Sequence, residues 1–261
     1  MNRRHFLSSS LVAGTAAMVP GLALPGDAKK TPYYELYFFK MHAGSQGGRM
    51  NAWAKDTLLP LADKYKLGPV GFFRLAIGPD TPQLVMLIEH SGWAEVQSHW
   101  LALLGDPQWA SGLVKLEQGN EPPFDRAEGR LLRATDYSPP LSQAVGKSKT
   151  PRVFEFRVYH SPTLTQLKAL HERFSGPEIK IFHRCGIHPI LYADTEFGPD
   201  VPNLTYLTPF DSLEAREKAW AAFGADPEWR KVRAESIKKA GQIVAYSNRF
   251  ILNAAPYSPI L

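Results

Sequence analysis

The chain has 261 residues, 44% of them hydrophobic, 21% charged and 11% aromatic, with a formal charge of +5. That composition excludes a mainly disordered chain, a collagen and a coiled coil. The lone cysteine, Cys185, excludes an internal disulfide framework and any zinc site built on several thiolates.

The N-terminus reads as an address. Arg3-Arg4-His5-Phe6-Leu7 is followed by an apolar, Ser/Ala/Gly-rich run to about Leu24, the pattern of a bacterial export signal of the twin-arginine (Tat) type. The alternative is a chance arginine pair on an ordinary secretory signal. Gly14, Pro20 and Gly21 interrupt the run, so it makes a poor transmembrane helix. Cleavage after Ala23 would remove two arginines and no acid, lowering the charge from +5 to +3. So small a charge gives little case for nucleic acid. The expected location is the periplasm or another extracytoplasmic space, with no stable transmembrane segment in the mature chain.

Behind the signal the sequence repeats itself. Gly78-Pro79-Asp80 returns as Gly198-Pro199-Asp200, Asp106-Pro107-Gln108-Trp109 as Asp226-Pro227-Glu228-Trp229, and Tyr137-Ser138-Pro139 as Tyr257-Ser258-Pro259, always 120 residues on. Between 78–109 and 198–229 there are 11 identities in 32 ungapped positions, where composition alone gives about two. The expected organisation is an export signal and short linker over 1–30, a first repeat over 31–141, a linker over 142–150 and a second repeat over 151–261.

Each repeat predicts the same elements in the same order. An alternating aromatic strand (33–39 or 153–159) precedes a helix (48–65 or 164–184), with Gly176-Pro177 set to break or kink the second copy. Two strands follow, 70–76 and 84–89 or 187–193 and 204–208, joined by the Gly-Pro-Asp turn. A helix starts at Ser91 or Asp211, the latter with Glu214 at capping-box spacing. Asp106-Pro107 and Asp226-Pro227 open a further helical segment, and strands 130–134 and 250–254 close the units. The order β-α-β-β-α-β is ferredoxin-like, so the fold class is α+β.

Such a sheet has helices on one face and nothing on the other, so it needs a partner. Tandem duplication supplies one, and two facing sheets make an intramolecular α/β barrel. Alternation then sorts the first strands into two faces. Tyr34, Leu36, Phe38, Phe154, Phe156 and Val158 are expected to face the helices. Glu35, Tyr37, Phe39, Glu155, Arg157 and Tyr159 are expected between the sheets.

The Glu-bearing first strand, Leu59-Pro60-Leu61, the stretch from Phe210 to Trp220 and Asp226-Pro227-Glu228-Trp229 resemble the NIPSNAP family. That family belongs to the dimeric α/β-barrel superfamily of ferredoxin-like units. The resemblance covers about 33–137 and 152–257. It implies the barrel fold and no single chemistry, and the first repeat departs from the pattern with Tyr37 where the second carries Arg157.

The candidate ligand-binding set is Glu35, Tyr37, Glu155, Arg157, Tyr159 and His188. Carboxylates and a guanidinium between apolar layers are costly unless paired; they either hold the polar end of a small molecule or form an internal ion pair. His90 and His188 lie at predicted strand ends. Some superfamily members bind haem through a histidine, but no His/Cys/carboxylate spacing here suits a metal, so neither metal nor cofactor is expected. Cys185 reads as a buried structural thiol, and His171 and His183 as surface residues. No dinucleotide fingerprint, P-loop or nucleophile elbow is present. The leading expectation is a binder of a small organic ligand in the inter-sheet cavity, with higher oligomers open. The alternatives are a cofactor-poor oxygenase or isomerase, and a structural or interaction protein.

Overall fold

The computed structural model describes residues 30–261. The expected export signal lies outside the described residues. The first repeat runs β1 (Tyr33–Lys40), α1 (Gln46–Trp53), a wide π-type turn (Ala54–Leu58), α2 (Leu59–Tyr65), β2 (Val70–Ile77), β3 (Gln83–His90), α3 (Trp93–Leu104), α4 (Pro107–Glu117) and β4 (Arg126–Ala134). The second runs β5 (Val153–His160), α5 (Leu164–Arg173), a wide turn (Phe174–Glu178), α6 (Ile179–Arg184), β6 (Leu191–Phe197), β7 (Asn203–Phe210), α7 (Leu213–Ala225), α8 (Pro227–Ala240) and β8 (Tyr246–Ala254).

The 120-residue offset persists in three dimensions. β1 and β5, the wide turns, β3 and β7, and β4 and β8 coincide at that spacing to the residue. The wide turn recurs in the first repeat, where no proline follows the glycine position, so Gly176-Pro177 sharpens a bend that the architecture already has; Gly176 alone leaves the helical region (φ −84, ψ −113). Asp106 and Asp226 cap their helices by accepting from the backbone N–H of Gln108 and of Trp229. At α7 the cap is Ser212, which accepts from Ala215, and not Asp211. Asp80 and Asp200 take the left-handed conformation in the two hairpin turns (φ +54 and +60), which aspartate tolerates better than most residues.

The eight described strands close into one barrel in the order β1-β3-β2-β8-β5-β7-β6-β4, every neighbour antiparallel. β2–β8 and β4–β6 are the seams between repeats. Going round the ring, β1 and β5 therefore run in the same direction, so the repeats are related by rotation about the barrel axis. Each repeat also sends its tail across the seam. Ser138 Oγ accepts from the Tyr192 backbone N–H at 3.0 Å, and Ser258 Oγ from that of Phe72 at 2.9 Å. The Tyr137 hydroxyl bonds His171 on α5 at 2.7 Å, and the Tyr257 hydroxyl donates to Asn51 on α1 at 2.7 Å. The repeated Tyr-Ser-Pro is thus a reciprocal clasp.

The strand faces are the reverse of the expectation. Tyr34, Leu36, Phe38, Phe154, Phe156 and Val158 form the barrel interior with Phe73, Leu87, Leu207 and Leu252. Rings from both repeats meet there: Phe38, Phe156 and Phe250 lie 5.7–6.0 Å apart. Leu141, Ala144 and Ile260 belong to the same cluster. The space between the sheets is therefore filled with apolar side chains rather than holding a polar ligand cavity. Glu35, Tyr37, Phe39, Glu155, Arg157 and Tyr159 lie instead between sheet and helices. Both faces of these strands are buried, so alternation separates them without saying which is inner. Supply of hydrogen-bond donors decides it: Trp100, His90, Arg216 and Trp220 stand on the helix side, whereas the barrel interior is mainly apolar, its guanidinium, Arg130, lying over the Phe38, Phe156 and Phe250 rings and already paired with Glu128.

Candidate functional site

Glu155, fully buried on β5, is saturated by donors. Arg157 Nε donates to Oε1 at 2.6 Å, Arg216 of α7 donates through Nη2 at 2.8 Å and Nε at 3.0 Å, and Trp220 Nε1 donates to Oε2 at 2.6 Å. The Arg157 guanidinium lies 3.4 Å from the centre of the Trp220 ring and donates to the Tyr159 hydroxyl at 3.2 Å. Burial pushes the Glu155 carboxyl up, but Arg216 and Arg157 outweigh it and hold the group below its usual range. This network ties the sheet to α7 and leaves the carboxylate no vacant acceptor site for a ligand.

The first repeat builds the same tie from different donors. Trp100 Nε1 donates to both Glu35 oxygens (2.9 and 2.8 Å), the Tyr37 hydroxyl donates at 3.1 Å, and His90 Nε2 meets Oε2 at 2.9 Å. His90 continues through Nδ1 to His99 Nδ1 at 2.9 Å. Where Glu155 has two permanent cations, Glu35 has a histidine pair. Burial and the neighbouring His90 hold His99 below the usual 6.5. The unfolded chain then takes up its proton more readily, so this contribution is present above 6.5 and lost as the pH falls through the folded value. Wild type is expected to lose stability relative to H99Q as the pH drops below 6.5, measured by urea unfolding; parallel profiles would contradict this.

The other expected residues scatter. Tyr37 and Arg157 are consumed by the two glutamates. His188 lies in the loop before β6, because Gly186 (φ +82) ends the helix and the strand begins only at Leu191. It stacks on His183 (5.0 Å) and lines a separate crevice with Cys185. Cys185 is half-buried rather than buried, and burial pushes its thiol up. His171 is not a plain surface residue, since it bonds Tyr137 and lies 3.0 Å from Asp194 Oδ1. Among the described residues no group of three or more His, Cys, Asp or Glu side chains could hold a metal, and no helix is long and apolar enough to cross a membrane.

Of the expected set, Tyr159 opens on a cavity in the sheet–helix layer of the second repeat. This cavity of about 260 Å³ is lined by Tyr159, Trp229, Ile237 and Ile243, with Arg173, Arg233 and Arg249 at its polar side. Arg173 Nε donates to Glu178 Oε2 at 2.7 Å, and both side chains are buried. Burial pushes the Glu178 carboxyl up to about 7 against the pull of Arg173.

The duplication supplies an internal control. At the same positions, 120 residues earlier, Trp53 stands for Arg173, Leu58 for Glu178, Leu113 for Arg233, Gly129 for Arg249 and Phe124 for Val244. There the space is packed: Trp53 lies 5.8 Å from Trp109 and 6.4 Å from Phe39, which lies 5.2 Å from Phe124. At Gly129 the Tyr37 ring comes within 3.1 Å of where a Cβ would sit, so a larger residue there would have to push the ring aside by a few tenths of an ångström. At these positions one fold, met twice in one chain, is thus packed in one copy and open and arginine-lined in the other; the first repeat has a crevice of about 180 Å³ beside Trp53, among Arg49, Thr57, Gly112 and Lys115.

The NIPSNAP family model matches residues 34–139 and again 154–259. The chain belongs to the NIPSNAP family. Several solved structures match this tandem NIPSNAP chain along most of its length. A candidate monooxygenase from Fusobacterium nucleatum subsp. nucleatum is 8% identical with a TM-score of 0.58, covering 87% of this chain and 94% of its own. Chlorite dismutase from Candidatus Nitrospira defluvii is 12% identical with a TM-score of 0.51, covering 87% and 92%. A single-unit NIPSNAP protein of unknown function from Agrobacterium tumefaciens is 21% identical over 42% of this chain and 94% of its own, with a TM-score of 0.37. No curated protein matches the chain. At such identities the structural likeness is one of fold.

Sequence reasoning on this NIPSNAP chain missed Arg173, Glu178, Arg233 and Arg249. The signal that finds them is a difference, not a motif: charged residues at positions whose counterparts in the other repeat are Trp53, Leu58, Leu113 and Gly129. The tie between Glu and Trp was also readable. Glu35 and Trp100, like Glu155 and Trp220, are 65 residues apart in both repeats.

Proposed function

We propose that this NIPSNAP protein binds a small organic molecule in the sheet–helix cavity of its second repeat, while the first repeat serves as the filled structural partner. One observation carries the reading. Arg173, held by the buried Glu178 behind it, and two further arginines border a cavity where the sister repeat reaches the same fold with Trp53, Leu58 and Leu113. A buried pair is no more stabilising than well-packed apolar groups of similar volume, so the fold does not call for it and a ligand does. The lining offers cations, an indole and a phenol, which is the chemistry of holding and orienting a guest. Native mass spectrometry of protein from its own host is expected to show a bound small molecule. A bare chain mass, together with no thermal shift in a metabolite screen, would contradict the reading.

The same proposal includes export. It is supported by Arg3-Arg4 ahead of the apolar run. R3K/R4K is expected to leave the protein in the cytoplasm on cell fractionation; undiminished delivery to the periplasm would count against a twin-arginine route.

A further inference from the structure

The three arginines around the cavity are not equivalent, and the difference names the class of guest. This inference rests on the cavity being the binding site. Arg173 is already neutralised: Nε is given to Glu178, Nη1 lies 3.4 Å from Ser236 Oγ, and its guanidinium sits 5.0 Å from the Trp229 ring centre. It forms a wall rather than an anchor. Arg233 comes from α8 and Arg249 from β8, so one approaches from the helix side and the other from the sheet side. Neither has a carboxylate within ion-pair distance among the described residues, and no acidic side chain lines the cavity.

Arg233 and Arg249 are both solvent-exposed, so water screens their mutual repulsion; what they offer is two guanidinium groups with no acidic partner among the described residues, free to give charge-assisted hydrogen bonds to an anion. The planar fork of arginine suits a carboxylate or phosphate, which it can grip through two parallel hydrogen bonds. The rest of the lining is of another kind. Trp229, its ring packed by Phe223 at 4.3 Å and by Arg173, contributes part of the wall, and Ile237 and Ile243 are apolar. The volume of about 260 Å³ lies just under the roughly 300–1,000 Å³ usual for drug-sized ligands, so the guest is small.

We propose that the cavity takes a small organic anion with an apolar body, its carboxylate or phosphate held by Arg233 and Arg249 and its body against Ile237, Ile243 and the Trp229 wall. The first repeat has lost both anchors, with Leu113 and Gly129 in their places, and its indole pair Trp53–Trp109 fills the space that the body would occupy. Only one such guest is therefore bound per chain.

The test is a ligand-observed NMR titration of the full chain with benzoate, phenyl phosphate and benzyl alcohol, in wild type, R233L/R249A and R233K/R249K. At least one of the two anions is expected to bind about tenfold more tightly than the alcohol, at one site, with the advantage shrinking in high salt. Which anion is preferred tells carboxylate from phosphate. R233L/R249A is expected to lose the preference by losing its anion affinity, and an unchanged melting temperature and circular dichroism spectrum show that it is folded. R233K/R249K is expected to fall between, because it keeps the charge and loses the fork. Equal or better binding of the alcohol in wild type overturns the anion assignment and leaves the cavity reading standing. A preference that survives R233L/R249A overturns the anchors. Failure of all three probes to bind overturns both.

Discussion

Glu155→Ala is expected to lower stability by about 3–5 kcal/mol, because it removes the one carboxylate that two guanidinium groups and an indole share. Arg157 would be left with an uncompensated charge against the sheet, Arg216 with Glu217 alone, and Trp220 Nε1 without its acceptor. For a chain of this size each kcal/mol moves the melting temperature by roughly 2–4 °C, so the change is readily measured by calorimetry. Glu35→Ala is expected to cost less, on the order of 1–3 kcal/mol, since it strands an indole, a phenol and an imidazole rather than two guanidinium groups. The ranking is the stringent part. A larger loss at Glu35 would mean that the permanent ion pairs around Glu155 are not what secures the second repeat.

Phe156→Ala is expected to cost about 3–5 kcal/mol through the cavity left inside the barrel. The informative version is a double-mutant cycle with Phe38→Ala, followed by urea unfolding. The two rings belong to different repeats and lie 6.0 Å apart in the barrel interior, so a coupling of about 0.5–3 kcal/mol is expected. Strict additivity would put the rings on separate faces, as the sequence alone suggested, and would contradict the barrel described above.

That error marks where the sequence stops speaking. The order of elements, the Asp-Pro helix starts, the Gly-Pro-Asp hairpins and the duplication itself were all legible, because each rests on local chemistry or on the chain matching itself. The two faces of β1 and β5 were separated correctly and assigned the wrong way round. Glu35 and Glu155 were assigned to the barrel interior because their partners, Trp100, His90, Arg216 and Trp220, lie 55–65 residues away in sequence. The Glu155–Arg157 ion pair was legible, since the two residues share one strand face. The cavity was not. Arg173, Arg233 and Arg249 look like ordinary helix and strand charges until the fold shows that Trp53, Leu113 and Gly129 stand in their places in a packed layer.

The central claim is that one repeat keeps a binding cavity which the other has filled. Its most direct test is R173W/E178L, which transplants the first repeat's own Trp53 and Leu58 into the second, read by titration with benzoate and benzyl alcohol alongside thermal unfolding. Replacing a buried ion pair with apolar groups already proven in this fold is expected to leave the melting temperature unchanged or raise it, while binding of both probes is lost. Wild-type affinity for either probe in a folded R173W/E178L protein, or collapse of the fold, would contradict the account.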